Sequence, residues 1–197
     1  TRFMDELEHL LRNVVKSPDT PIGKLEVMNA AEIQEQLKKW NDTKVDYPKE
    51  KPLHQIISET AAQYPNSIAL KFNNKELTYT QLNQQANQLA AVLIANGVKP
   101  TDKVAISLDR SAELVIALLA IIKAGATYIP LDPIFPINRI NYMLEDSAAV
   151  VLLTSETYKG KYQSKAKEII LDDIWNSLKN YPTTDPDVEV KGEYLIY

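Results

Sequence analysis

Residues 104–153 read VAISLDRSAELVIALLAIIKAGATYIPLDPIFPINRINYMLEDSAAVVLL, and this stretch decides the fold. It opens on the short strand-like run Val104-Ala105-Ile106-Ser107-Leu108. Ser111 follows, placed to cap a helix, since its hydroxyl can accept a hydrogen bond from a first-turn amide. From Leu114 to Ile122 nine consecutive residues are apolar, which predicts a helix buried between two layers. Gly125 closes that helix. Thr127-Tyr128-Ile129 reads as a second strand and Pro130-Leu131-Asp132-Pro133 as a turn. Pro136 suits the first turn of another helix, ending near Asp146. Val150-Val151-Leu152-Leu153 is a third strand. Strands alternating with helices predict an α/β architecture with helices on both faces of a largely parallel sheet. Ligands in such sheets bind beyond the carboxyl ends of the strands.

The same grammar extends outward. Residues 53–62 predict a helix stopped before Pro65. Residues 68–72 and 75–78 predict a β-hairpin around Asn73-Asn74, because Asn tolerates positive φ. Thr78 and Gln81 fit a capping box, and the helix they open carries the stripe Leu82, Ala86, Leu89, Ala90, Leu93 up to Gly97. On the other side, residues 168–171 predict a further strand and residues 172–190 one short helix at most. Tyr194-Leu195-Ile196-Tyr197 is apolar and β-prone, so it is expected to begin a buried strand, and a chain stopping there is expected to be cut from a longer one.

The first 45 residues differ. Phe3, Leu7, Leu10, Leu11 and Val14 recur at helical spacing, and Ile33, Leu37 and Trp40 share one face of a second helical stretch, 30–40. Residues 44–52, with Pro48, Pro52 and charges at Lys44, Asp46, Lys49 and Glu50, predict an exposed linker. Two helices without strands bury little core, so this segment is expected to act as a connector.

Composition narrows the function. The chain has 197 residues and a formal net charge of −4, which provides no basic field for nucleic acid or anionic lipid. It has no cysteine, so disulfides, thiolate metal sites and a thiol nucleophile are excluded. Its two histidines, His9 and His54, exclude a multi-histidine metal site within one chain. Its five glycines never come closer than 28 residues, between Gly97 and Gly125, so no glycine-rich phosphate loop is present. A flavodoxin- or Rossmann-like nucleotide domain is excluded on the same ground. The longest apolar run is nine residues against the about 20 a bilayer span needs, and Thr1–Glu6 lacks the apolar core of a signal peptide, so a cytoplasmic location is expected.

Several of these stretches resemble one family. Residues 107–154 look like the amino-acid adenylation domain of non-ribosomal peptide synthetases, within the AMP-binding, adenylate-forming superfamily. Leu77-Thr78-Tyr79-Thr80-Gln81-Leu82 resembles that family's first core motif, with Gln81 in place of the usual Glu. Residues 122–132, IKAGATYIPLD, resemble the second, with departures at Ile122, Thr127 and Ile129. Trp40-Asn41-Asp42-Thr43, Tyr47-Pro48 and Leu53-His54 resemble the start of such a domain after its linker. Glu193–Tyr197 is similar to the start of the third motif, which in the family continues into a Ser/Thr/Gly-rich phosphate loop. Asp132-Pro133-x-x-Pro136 favours the peptide-synthetase branch over acyl-CoA ligases and luciferases.

The resemblance implies that residues 1–45 are the end of a condensation domain with a helical linker, and 46–197 the N-terminal portion of an adenylation domain, ending before the phosphate loop. It implies ATP and Mg2+ for the complete domain, an aminoacyl adenylate as product, and transfer to phosphopantetheine on a carrier domain. Condensation and carrier domains are the implied partners. The family's triphosphate, acidic and lysine motifs fall beyond Tyr197, so no catalytic, cofactor-binding or metal-binding residue is assigned here and the 197 residues alone are expected to be inert. Two other readings stay open: a non-catalytic docking module for a condensation domain, and another adenylate-forming carboxylic acid ligase.

Lys123 ends a helix, where a cation complements the dipole, and is read as structural rather than phosphate-binding. Asp132 is read as a turn residue rather than a magnesium ligand. His54, near Pro52, is read as capping or packing rather than as a general base. Asp109-Arg110-Ser111 stands where α/β sites occur, but is read as a strand-end turn with a surface arginine. Tyr128 and Tyr142 are expected in the core, and the acidic stretches at 172–173 and 185–189 in solvated loop.

Overall fold

The structure is a computed structural model and describes residues 2–197. The chain divides into two compact units at the Tyr47–Pro48 junction. In the first unit, α1 (Arg2–Lys16) carries an apolar stripe with no buried residue. Asn29 and Glu32 form a reciprocal capping box that starts α2 (Ala30–Gln34). The predicted second helix does not run regularly to Trp40. It widens into a π turn over Glu35–Lys39, where the Trp40 amide reaches the Glu35 carbonyl at 2.9 Å. Leu37 and Trp40, expected to share an apolar face, are exposed.

The second unit follows the predicted alternation. Its elements are α3 (Leu53–Gln63), β1 (Ile68–Phe72), β2 (Lys75–Thr78), α4 (Tyr79–Ala95), β3 (Lys103–Ser107), α5 (Ala112–Lys123), β4 (Thr127–Pro130), α6 (Ile137–Ser147), β5 (Val151–Thr154), β6 (Lys167–Ile170) and α7 (Leu171–Trp175). β1 and β2 form the antiparallel hairpin, and Asn73 supplies the positive φ of its turn. The other four strands form a parallel sheet in the order β4-β3-β5-β6.

Strand alternation sorts the two faces. Val104, Ile106, Val151 and Leu153 point into the larger core with α4 and α5. Ala105 and Leu152 point the other way, onto Ile140 and Leu144 of α6. Leu89, Leu93, Ile116 and Ile121 are fully buried. Each such side chain contributes roughly 1.5–3 kcal/mol of burial free energy. Thr78 and Gln81 form the predicted capping box of α4, and the Ser111 hydroxyl accepts from Leu114 N–H at 3.0 Å to cap α5.

Four expectations need correction. Pro136 immediately precedes α6 instead of sitting in its first turn. Leu171 begins a helix instead of ending a strand, because Asp172 and Asp173 favour a helix N-terminus there. Tyr142 is exposed: it lies on the outer face of α6, opposite Ile140 and Leu144. Tyr194–Tyr197 is not a buried strand. It is an extended segment alongside β4, where Tyr128 N–H donates to the Ile196 carbonyl at 2.8 Å and the Thr127 hydroxyl to the Leu195 carbonyl at 2.9 Å. Leu195 and Tyr197 remain exposed because no layer covers that side among the described residues.

Candidate functional site at the carboxyl ends of the parallel strands

Three parallel strands deliver their following loops to one place. Leu108, Asp109 and Ser111 come after β3, Ser155 and Thr157 after β5, and Asp172 and Trp175 after β6. Together they line a cleft of about 450 Å³. Its position is the one that a parallel sheet reserves for ligands.

The cleft is acidic and partly self-neutralised. Lys75, from the hairpin, reaches Glu113 at 2.6 Å and lies 5.6 Å from the Trp175 ring centroid. Burial pushes the Glu113 carboxyl up, but the Lys75 hydrogen bond and charge outweigh this and hold it below its ordinary value. Asp109 accepts from the Tyr158 hydroxyl at 2.8 Å, a bond that pushes the phenol's pKa up. Asp172 accepts from Glu156 N–H at 2.8 Å, fixing the loop after β5. The Ser155 hydroxyl is buried with no hydrogen-bond partner. Hydroxyls and carboxylates of this kind suit a cationic or hydroxylated group and repel a polyphosphate.

A triphosphate therefore does not fit the residues present. The glycines of positive φ, Gly97, Gly125 and Gly160, each stand alone in a turn, so none joins a row of converging amides. Among the described residues no group of three or more acidic or histidine side chains could hold a metal ion.

Asp109 and Ser111 line this cleft, and Arg110 between them is exposed. Asp132 is a turn residue: its carboxylate accepts from Ile134 N–H at 3.0 Å and its carbonyl from Phe135 N–H at 3.0 Å. Lys123 lies at the opposite end of the sheet, with His54 near enough to feel its charge. α5 returns from the carboxyl end of β3, so its last residue falls near the amino ends.

Lys123 does end α5, where its charge complements the dipole, but it does so from inside the protein. Its side chain is fully buried, and its Nζ donates to Ser58 Oγ at 2.9 Å and to the Asp185 carboxylate. Ser58 also donates to Asp185 at 3.1 Å. Burial pushes the Lys123 ammonium down, against the stabilising hydrogen bond and charge of Asp185. Burial raises the Asp185 carboxyl, but the bond and charge of Lys123 and the bond from Ser58 bring it below its ordinary value. Burial, then the Lys123 charge, push His54 down, with Asp185 opposing. Its Nδ1 is buried with no hydrogen-bond partner among the described residues. Asp185 is thus an exposed loop acid, as expected, whose carboxylate also reaches a buried lysine. Neither Asp185 nor Trp175 carries a local pattern that marks it, whereas a lysine closing an all-apolar helix does signal burial.

The position of the cleft and the sheet order define the class: an α/β subdomain whose ligand site lies at the carboxyl ends of its parallel strands. Residues 57–192 match the AMP-binding enzyme family, and the chain belongs to it. Along its whole length it is 37% identical to a component of the linear gramicidin synthase of Brevibacillus parabrevis, of which it spans 2%. The N-terminal subdomain of Klebsiella oxytoca NpsA superposes with a TM-score of 0.64 at 27% identity, over 73% of this chain and 36% of that one. O-succinylbenzoate coenzyme A synthetase of Bacillus subtilis, in complex with AMP, superposes with a TM-score of 0.63 at 26% identity, over 72% of this chain and 36% of that one. No helix among the described residues is long and apolar enough to cross a membrane.

Proposed function

We propose that this chain is the opening part of an amino-acid adenylation domain in a cytoplasmic non-ribosomal peptide synthetase, preceded by the end of a condensation domain and its linker. The whole enzyme would condense an amino acid with ATP and Mg2+ to an aminoacyl adenylate and pass it to phosphopantetheine on a carrier domain. One observation carries the choice of branch. The fold is common to a synthetase subdomain and a coenzyme A synthetase, but the match to the gramicidin synthase also takes in the first unit, outside the 57–192 family match.

The direction of Tyr194–Tyr197 supports the same reading. Leu195 meets Thr127 and Ile196 meets Tyr128, so this segment advances with β4 toward the sheet's carboxyl ends. A phosphate loop following it would emerge at the ligand-binding edge, where its amides could supply what the acidic cleft lacks. The residues in hand would then frame the site and position its neighbours, without touching the triphosphate.

The test is amino-acid-dependent ATP–pyrophosphate exchange. The 197 residues alone should show none, and the same residues continued through the rest of the domain should exchange with a particular amino acid. Exchange by the 197 residues above background, or none by the continued chain with any amino acid, defeats the proposal.

A further inference from the structure

Four residues of the stretch 122–132 touch one later segment, in the same order. Lys123 binds Asp185. Gly125, at φ +75, leaves a notch for Val188 and Val190, whose methyl carbons would lie 3.1 and 3.2 Å from a Cβ placed there. The Thr127 hydroxyl donates to the Leu195 carbonyl at 2.9 Å. Tyr128 N–H donates to the Ile196 carbonyl at 2.8 Å, and its ring stacks on Tyr197 with centroids 5.8 Å apart. The later segment is otherwise irregular between Tyr181 and Tyr197, with no strand of its own. Just before Asp185, the buried Asn87 donates to the Thr183 carbonyl at 2.7 Å.

We infer that residues 123–128 are a rail that positions residues 185–197, and through them the segment that follows Tyr197. Lys123 and Thr127 are positioning residues for the ATP-binding step. The inference rests on the reading that a phosphate loop follows Tyr197. An irregular segment keeps its place only through such anchors, because it has no ladder of backbone hydrogen bonds. The anchors span both chemistries: a buried charge at one end, a hydroxyl and a backbone amide at the other. Loss of one anchor loosens the path of the chain without removing any group that touches substrate. A small misplacement at a phosphate site is felt by ATP before it is felt by the amino acid.

The test uses the full-length protein that carries this chain, with the variants Lys123→Met and Thr127→Val. Thr127→Val keeps the shape and the strand preference of the side chain, so it tests the rail if Lys123→Met folds poorly. In pyrophosphate exchange, the KM for ATP should rise about tenfold in Lys123→Met and about threefold in Thr127→Val. The KM for the amino acid should stay within about twofold. Amide hydrogen exchange of residues 185–197 should quicken in both variants while that of β3 and β5 is unchanged. An unchanged KM for ATP in both variants overturns the inference. So does a parallel change in kcat and both KM values that tracks lost thermal stability. If the wild-type protein exchanges pyrophosphate with no amino acid, the functional reading fails. Hydrogen exchange then decides alone: quicker exchange at 185–197 upholds the rail and unchanged exchange rejects it.

Discussion

The two ends of the parallel sheet use the same pair of chemical groups in opposite ways. At the carboxyl ends, Lys75 and Glu113 meet with side chains 42% and 34% exposed. At the amino ends, Lys123 is 0% exposed and its partner Asp185 is 49% exposed. The first pair lies over an open cleft and can exchange partners with solvent or ligand. The second is a buried ammonium held by the Ser58 hydroxyl and one half-open carboxylate, its counter-ion. A charge beside a binding cleft must stay adaptable, whereas a charge that pins a segment must have nowhere else to go.

The largest effect should come from removing the partner of the buried charge. In Asp185→Leu the Lys123 ammonium stays buried without its counter-ion, which costs about 2–3 kcal/mol, at the low end for buried pairs because the carboxylate side is open to water. Lys123→Met should cost less, about 1 kcal/mol, since Asp185 turns to solvent and the thioether fills the slot. Thermal unfolding of the two variants side by side checks the order. Equal losses, or a larger loss from Lys123→Met, would mean that the pair is not asymmetric.

A second effect separates two groups of the amino-end cluster by pH. Folding holds His54 below its ordinary 6.5, so its neutral form is favoured in the native state. Its contribution is complete above pH 6.5 and is lost as pH falls through the lower, native value. Asp185 is held below its ordinary 3.8, so its contribution is present above pH 3.8 and fades only at stronger acidity. Unfolding midpoints measured against pH should therefore decline in two stages on the acid side. His54→Gln should remove the first stage and leave the second. A variant that declines like the wild type would show that His54 plays no part at the amino-end cluster.

The layers of this fold were legible in the sequence because they follow from period and punctuation. Leu114–Ile122, Ser111 and Gly125 define α5 without reference to any other element, and the same holds for the box of Thr78 and Gln81 on α4. The long-range links were not legible. Asp185 lies 62 residues from Lys123 and sits in a stretch whose composition reads as solvated loop. Nothing local states that its half-exposed carboxylate pairs with a buried lysine. Tyr142 failed for a related reason: an aromatic on an amphipathic helix goes in or out according to its phase, and Ile140 and Leu144 set the phase of α6 toward the sheet. The cleft was legible in position, since parallel sheets bind at their carboxyl ends, but not in chemistry. Its acidic lining required the loops after β3 and β6 to be brought together.

The smallest expected effect sharpens the contrast most. Lys75→Met or Glu113→Gln removes a pair of similar length to many surface bridges, and both groups can return to water. Each change should cost no more than about 0.5 kcal/mol in unfolding free energy, and added salt should reduce even that. The change of net charge is then the main consequence: Glu113→Gln leaves the cleft less acidic, with Lys75 still over Trp175, while Lys75→Met leaves it more acidic. In the full-length protein the two variants should shift the KM for ATP in opposite directions, lower for Glu113→Gln and higher for Lys75→Met, because a polyphosphate nearby feels the local field. Equal stability losses of several kcal/mol would place this pair with Lys123–Asp185 and erase the distinction between the two ends.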